Sequence, residues 1–258
     1  MPYNKLKVLI IPHDIVWGDK IENLLSIEHL LSKVDNNVDI VVLPELFTTG
    51  LLSNIEMVSN LSETNTSKTI EIIKTWAKKY NFAICGSYIA SCMSKYYNRA
   101  FFIEPSGEET FYDKKYLSLI NGECDLFEPG LTVPHIIRYR GWNIKLIIGE
   151  DLYYPVWCGN SYDALVVVAN TSKAKSIQWR HMLIARAIEN QAYVIGANRT
   201  GHDDFGMYQY KDSIMVNYLG EFNMQSNNTF VYAELDYDSL SQYRAQNPLW
   251  KNDGQSIL

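Results

Sequence analysis

Three short segments hold the residues whose types and spacing could do chemistry. Val41-Val42-Leu43-Pro44-Glu45 is an apolar run ending in a carboxylate, and Tyr112-Asp113-Lys114-Lys115-Tyr116-Leu117 sets an ammonium after a short strand. Ile147-Ile148-Gly149-Glu150-Asp151-Leu152-Tyr153-Tyr154-Pro155 is a third strand that ends in a sharp turn. A carboxylate at the end of a buried strand is partly desolvated, which lifts its pKa toward the range where it can take a proton near neutrality. An ammonium beside it could hold a developing oxyanion and help keep the carboxylate ionised. Taken singly, each residue reads more blandly. A Glu after Pro at a strand end is most often a solvated loop residue, Lys114-Lys115 a surface pair, and Glu123 alone carries no signal.

The elements that must position these groups alternate between strand and helix. Lys7 to Pro12 and Val38 to Leu43 read as buried strands, and Ile21 to Val34 repeats apolar residues at helical spacing. Ser67 to Tyr80 is an amphipathic helix with Ile70, Ile73 and Trp76 on its apolar side. Phe82 to Ser87 and Arg99 to Ile103 continue the strand series. Ile136 to Tyr139 and Ile144 to Ile148 flank Arg140-Gly141-Trp142, a turn of hairpin type. Asp163 to Ala169 is strand, Ile177 to Asn190 helix, and Ala192 to Ala197 strand. This alternation predicts an α/β layered protein with helices covering a sheet.

The 258 residues suit one domain spanning 1–258, and 47% apolar residues suffice for a continuous core. A net charge of -6 gives no basic patch, so no nucleic acid partner is expected. The apolar run Val8 to Ile11 is too short for a signal peptide or membrane span. The four cysteines (Cys85, Cys92, Cys124, Cys158) lack metal-ligand spacing and disulfide density, which predicts a reduced cytoplasmic protein. The five histidines are scattered, and no nucleotide loop, metal site or cofactor motif is present.

Together the three segments resemble the nitrilase, or carbon–nitrogen hydrolase, superfamily, in which a Glu, a Lys and a Cys share one site. The resemblance runs from Leu6 to Trp250 and includes Phe102-Ile103-Glu104-Pro105-Ser106-Gly107 and Ala185-Arg186-Ala187-Ile188-Glu189-Asn190-Gln191-Ala192-Tyr193. Within the superfamily, Pro155-Val156-Trp157 and the Trp179-to-Tyr193 helix are similar to bacterial ω-amidases, which hydrolyse the side-chain amide of 2-oxo acids such as 2-oxoglutaramate. The resemblance implies a four-layer αββα sandwich. It implies Glu45 as general base, Lys114 as oxyanion stabiliser and Glu123, in the loop after Lys114, as the group that positions lysine or substrate. A backbone N–H near Glu150 would add an oxyanion donor. The resemblance also implies a homodimer, supported by the helix around Trp179 to Gln191 and the segment Tyr243 to Trp250.

One position departs from that pattern. The family's Cys-Tyr-Asp-Leu-Arg-Phe-Pro segment aligns with Gly149 to Pro155, so Gly149 stands where the nucleophile belongs. Glycine can neither attack nor be acylated. Cys158, nine residues on, is expected roughly 10 Å or more from the turn, in a packing or surface role. Cys124, in a loop expected to line the pocket, is the other substitute to consider. Cys85 reads as a small core residue, and Cys92 follows a strand. The family Arg is Tyr153 here, a family His is Tyr116, and Glu150 adds a carboxylate; all three are pocket candidates.

Three functions follow. In the first, C–N hydrolase activity is altered, running on acid–base groups without a covalent intermediate, or is lost. In the second, the chain is a non-catalytic protein that binds a small carboxylate or amide or regulates a partner. In the third, it is an ordinary ω-amidase carrying a Cys-to-Gly change.

Overall fold

Strand sequences that are apolar at every position can bury both faces, and the central strands here do so. The computed structural model describes residues 4–35, 37–159 and 162–251. In chain order the elements begin β1 (Lys5–Ile10), α1 (Lys20–Leu31), β2 (Ile40–Val42), α2 (Ile55–Leu61), α3 (Lys68–Tyr80), β3 (Ala83–Cys92) and β4 (Lys95–Ile103). They continue β5 (Glu109–Asp113), α4 (Glu123–Leu126), β6 (Ile137–Tyr139), β7 (Trp142–Ile148), α5 (Pro155–Cys158), β8 (Ala164–Ala169) and α6 (Ser176–Asn190). The last third holds β9 (Tyr193–Asn198), β10 (Gly201–Asp203), β11 (Gly206–Tyr208), β12 (Ile214–Val216), β13 (Gln225–Ser226), β14 (Val231–Asp236) and α7 (Tyr237–Gln246).

Two sheets result. One has the order β13-β14-β1-β2-β3-β4-β5, the other β12-β9-β8-β7-β6. In the first, β1, β2 and β3 are parallel neighbours; in the second, β7, β8 and β9 are. Leu6, Val8, Ile10, Ile40 and Val42 pack in the core shared with β7 to β9. The alternate residues Leu9, Ile11, Val41 and Leu43 pack with Ile27 of α1 and Ile70 and Ile73 of α3. Helix α6 covers the second sheet with Trp179 and Leu183. The layers are therefore helix, sheet, sheet and helix, the αββα sandwich that the resemblance implied.

Local signals explain the element ends. Asp19 caps α1 by accepting from the Glu22 N–H, and Asn81 ends α3 in the left-handed conformation. The hairpin turn expected over Arg140-Gly141-Trp142 is a two-residue loop, Arg140-Gly141, with φ of 50° and 84°; Trp142 already belongs to β7 and pairs with Tyr139. Strand β3 runs past the expected Ser87 to Cys92, so Cys92 closes the strand and does not follow it. Its hairpin turns on Met93 and Ser94, both left-handed, a pair with no Gly or Asn to announce it. The strands and helix after Asn198 are short or polar and were not foreseen. The Trp250 side chain, the end of one segment expected to support a dimer, lies outside the described residues, as do residues 1–3 and 252–258.

Candidate active site

Parallel strands present their carboxyl ends on one edge, where α/β proteins place ligands. Glu45 follows β2 on one sheet, while Gly149 follows β7 and Asn170 follows β8 on the other. The backbone at Glu45 is pinned by its neighbour. Leu46 is left-handed (φ 50°), held by a bond from its N–H to Ser87 Oγ at 2.8 Å and by the Thr49 and Gly50 N–H groups on its carbonyl. That conformation costs a β-carbon residue about 1–2 kcal/mol and fixes the direction of the chain leaving Glu45.

Lys114 leaves β5 and is drawn under the site by its N–H to Asn98 O at 2.9 Å. Its ammonium is 1% exposed and spends three N–H groups on three carboxylates. Nζ donates to Glu45 Oε1 at 2.9 Å, Glu123 Oε2 at 2.7 Å and Glu150 Oε2 at 2.6 Å. Glu123, expected in a loop, is instead the first residue of the short helix α4, buried, with Oε2 also accepting from the Ser118 N–H at 2.7 Å. Asn98, in the middle of β4, donates Nδ2 to Glu45 Oε1 at 2.7 Å and is oriented by Ser87 Oγ, which donates to its Oδ1. Asn170 grips Glu45 from the second sheet: its N–H reaches Oε2 at 2.8 Å and its Nδ2 reaches the Glu45 carbonyl at 3.0 Å.

Gly149 sits at the centre of this cluster. A Cβ built on it would lie 3.1 Å from both Glu45 Oε2 and Lys114 Nζ. Its φ of +45° makes the sharp strand-to-helix turn that the sequence suggested. Beside it is a cavity of ≈ 30 Å³ bordered by Glu45, Gly149, Glu150, Tyr153, Asn170 and Tyr208. Lys175 and Phe205 stand at its rim.

Asp151 holds the turn against the lysine loop. It accepts from Tyr112 OH at 2.7 Å, from the Tyr116 N–H at 2.9 Å and from the Ile148 N–H at 3.3 Å. Burial pushes its pKa up to about 6 against those hydrogen bonds.

The electrostatics follow from burying several like charges. Burial lifts Glu45 to about 7; the Lys114 charge pulls it down while Glu123 and Glu150 push it up. For Lys114, burial opposes the charge, but the Glu123, Glu150 and Glu45 carboxylates outweigh it and hold the pKa well above the ordinary lysine value. Glu150 is raised by burial, yet Lys114 and its own backbone N–H lower it more. A general base near 7 beside a permanent cation can exchange a proton with a bound molecule at neutral pH.

The structure thus brings Glu45, Lys114, Glu123, Gly149 and Glu150 together, with Tyr153 on the cavity wall. It does not bring Tyr116 or Cys124 there. The Asp151 contact turns the Tyr116 ring onto Tyr154, where the two stack with centroids 3.4 Å apart. Cys124 is exposed, its Sγ 3.9 Å from Leu117 O, because α4 turns Glu123 inward and its successor outward. Cys158 lies against the turn, not roughly 10 Å away: Pro155 folds the chain back so that its Sγ is 3.2 Å from Asp151 O. It is buried on the core side, and burial pushes its thiol up to about 12. Sequence reasoning missed Asn98, Asn170 and Lys175. A lone Asn inside an aromatic strand, and a polar residue directly after an all-apolar strand, were the available signals.

Comparison with known proteins identifies the family and the fold. The chain is 33% identical to an ω-amidase, YafV, of Yersinia enterocolitica over 98% of each chain. It is 34% identical to the Escherichia coli protein of that name over 96% of each. Its fold superposes on a CN-hydrolase superfamily protein of Xanthomonas campestris, described with an arsenic adduct in its active site, with a TM-score of 0.91, 27% identity and 99% coverage of both chains. The carbon-nitrogen hydrolase family model matches residues 8–245, and the chain belongs to that family, the nitrilase superfamily.

Proposed function

We propose that this chain is an ω-amidase-like C–N hydrolase that acts on a small amide by acid–base chemistry, without an acyl-enzyme. The observation that carries this reading is the surroundings of Gly149. Where the family pattern puts a thiol, a Cβ would already lie 3.1 Å from Glu45 Oε2 and Lys114 Nζ, and the adjoining ≈ 30 Å³ has room for a water. Glu45 takes a proton from that water as its oxygen attacks the amide carbon, and the C=O pair moves onto oxygen. Lys114, positioned by Glu123, faces that oxyanion. Collapse re-forms the carbonyl and breaks the C–N bond, and the proton passes from Glu45 to the departing nitrogen, giving ammonia and a carboxylic acid. The names of the two ω-amidase relatives support a small amide as substrate.

A second reading, a binding protein without turnover, is favoured by one contact pattern. All three Lys114 N–H groups already meet carboxylates, so an oxyanion gains a donor there only if one carboxylate leaves. In either reading we take the chain as one hydrolase domain, supported by the match over residues 8–245. We place it in the cytoplasm, which its four unpaired cysteines support. Among the described residues, no helix is long and apolar enough to cross a membrane. Ile177 and Ile188, 72% and 52% exposed on α6, support a homodimer through that helix.

The test is ammonia release from 2-oxoglutaramate by the wild type, by iodoacetamide-treated protein and by Glu45→Gln. Slow release that survives alkylation and vanishes in Glu45→Gln is expected. Loss on alkylation, or an acylated protein seen by intact mass, overturns the acid–base reading. No release from any sample selects the binding protein.

A further inference from the structure

Glu150 has a position that neither the motif nor the family explains. Its carboxylate takes the third N–H of Lys114 at 2.6 Å, and its own backbone N–H also stabilises the charge. These are the two groups expected to hold an oxyanion. Glu150 therefore occupies, from within the chain, the place of a ligand's acceptor oxygen. It is the least buried of the three carboxylates, its side chain 28% exposed against 5% for Glu45 and 3% for Glu123, and it borders the cavity. Lys175 Nζ, 4.0 Å from its other oxygen, is the cation on the rim side.

Two oxygens beside Glu150 are open acceptors. Asn170 Oδ1 is buried without a hydrogen-bond partner. Its amide cannot be flipped to cure this, because Nδ2 is committed to the Glu45 carbonyl at 3.0 Å. Glu45 Oε2 carries one bond, from the Asn170 N–H. A ligand group that docks against these two oxygens must bring N–H donors. A carboxylate brings none, and it meets Glu45 and Glu150 with the only buried ammonium of the cluster already engaged.

We infer that Glu150 and Asn170 are specificity-determining residues, which make this pocket select a neutral N–H-bearing amide and reject the matching carboxylate. The amide nitrogen docks against Asn170 Oδ1 and Glu45, and Glu150 guards the lysine. The inference rests on reading this pocket as the ligand site, and it adds a consequence for turnover. Hydrolysis converts the accepted group into the rejected one, so the carboxylate product is expelled by charge.

The test uses the near-isosteric probes propanamide, butanone and propanoate, titrated by NMR at one fixed pH into wild type, Glu150→Ala, Glu150→Gln and Asn170→Ala. An unpaired acceptor and an uncompensated charge each correspond to about tenfold in affinity. Wild type should therefore favour propanamide over both other probes by about tenfold or more. Both Glu150 variants should gain propanoate binding, and Asn170→Ala should lose the preference of propanamide over butanone. Equal wild-type affinities, no binding of propanamide, or Glu150 variants that leave propanoate unchanged overturn the inference. Should Asn170→Ala not fold, butanone on wild type decides that arm. These affinities are equilibrium quantities, so they stand or fall separately from ammonia release.

Discussion

Asn98 and Lys114 donate to the same oxygen of Glu45, the amide from 2.7 Å and the ammonium from 2.9 Å. The two arrive from different strands, and Ser87 fixes which end of the Asn98 amide faces the carboxylate. A buried carboxylate at the end of β2 is tolerated because it is served from several sides.

Removing Asn98 should expose that dependence. Asn98→Ala leaves Glu45 Oε1 and Ser87 Oγ each short of a buried partner, a loss of about 1–3 kcal/mol. Urea denaturation measures it, and the Glu45 titration followed by NMR should move upward in the variant. An unchanged midpoint and titration would show that the Asn98 bond has no influence on the carboxylate.

Lys114→Met should be the most damaging single change in the site. It strands three carboxylates around a buried methionine, and breaking such a pair typically costs about 3–5 kcal/mol. Adding Glu123→Gln to the same chain should recover part of the loss, because one of the stranded charges is gone. Thermal melts of the single and double variants give the comparison.

Stability should carry the mark of Glu45 in its pH dependence. Its folded pKa of about 7 stands above the ordinary 4.5, so folding favours the protonated form. That contribution is complete below pH 4.5, shrinks as pH rises toward 7 and is absent above it. Wild type should thus lose on the order of 2 kcal/mol relative to Glu45→Gln across that window. Activity, if Glu45 is the base, runs the other way and rises through pH 7. Glu150→Gln, by removing a repelling charge, should shift that rise to lower pH.

Gly149→Cys asks whether the pocket is still built for a thiol. The added Cβ meets the movable ends of two side chains at 3.1 Å, and the φ of +45° costs about 1–2 kcal/mol. The new thiol, beside Lys114, should be alkylated faster than the four native cysteines, as read by peptide mass mapping. Strong amidase activity in this variant would favour an ordinary ω-amidase altered at one residue, whereas activity no greater than that of the wild type would place the divergence in Glu150 and its surroundings.

Much of this was legible in the chain itself. The alternating Leu6, Val8, Ile10 against Leu9, Ile11 set which strand faces which core, and Arg140-Gly141 specified its turn by the one residue that favours φ > 0. The order of Glu45, Lys114 and Gly149 inside matching flanks brought them to one point. What escaped was set by tertiary context. Met93-Ser94 turns because the paired strands force it, and β12, β13 and β14 are too short or polar to signal alone. Asn98 and Asn170 matter because of what lies across from them, which spacing along one strand does not encode. Cys124 and Glu123 are adjacent in sequence, yet one turn of helix sends them to opposite sides.

The cluster around Gly149 is stitched across two sheets that share no backbone ladder. Glu45 and Lys114 belong to one, Gly149 and Asn170 to the other, and the Asn170–Glu45 and Tyr112–Asp151 hydrogen bonds bridge a gap whose width is set by apolar packing between Ile10, Val42 and the β7–β8 strands. The reacting distances are therefore set by the thickness of the interior. A methylene trimmed from that interior, with no polar atom touched, would change the span between carboxylate and turn, so neutral-looking core substitutions become a means of tuning the chemistry.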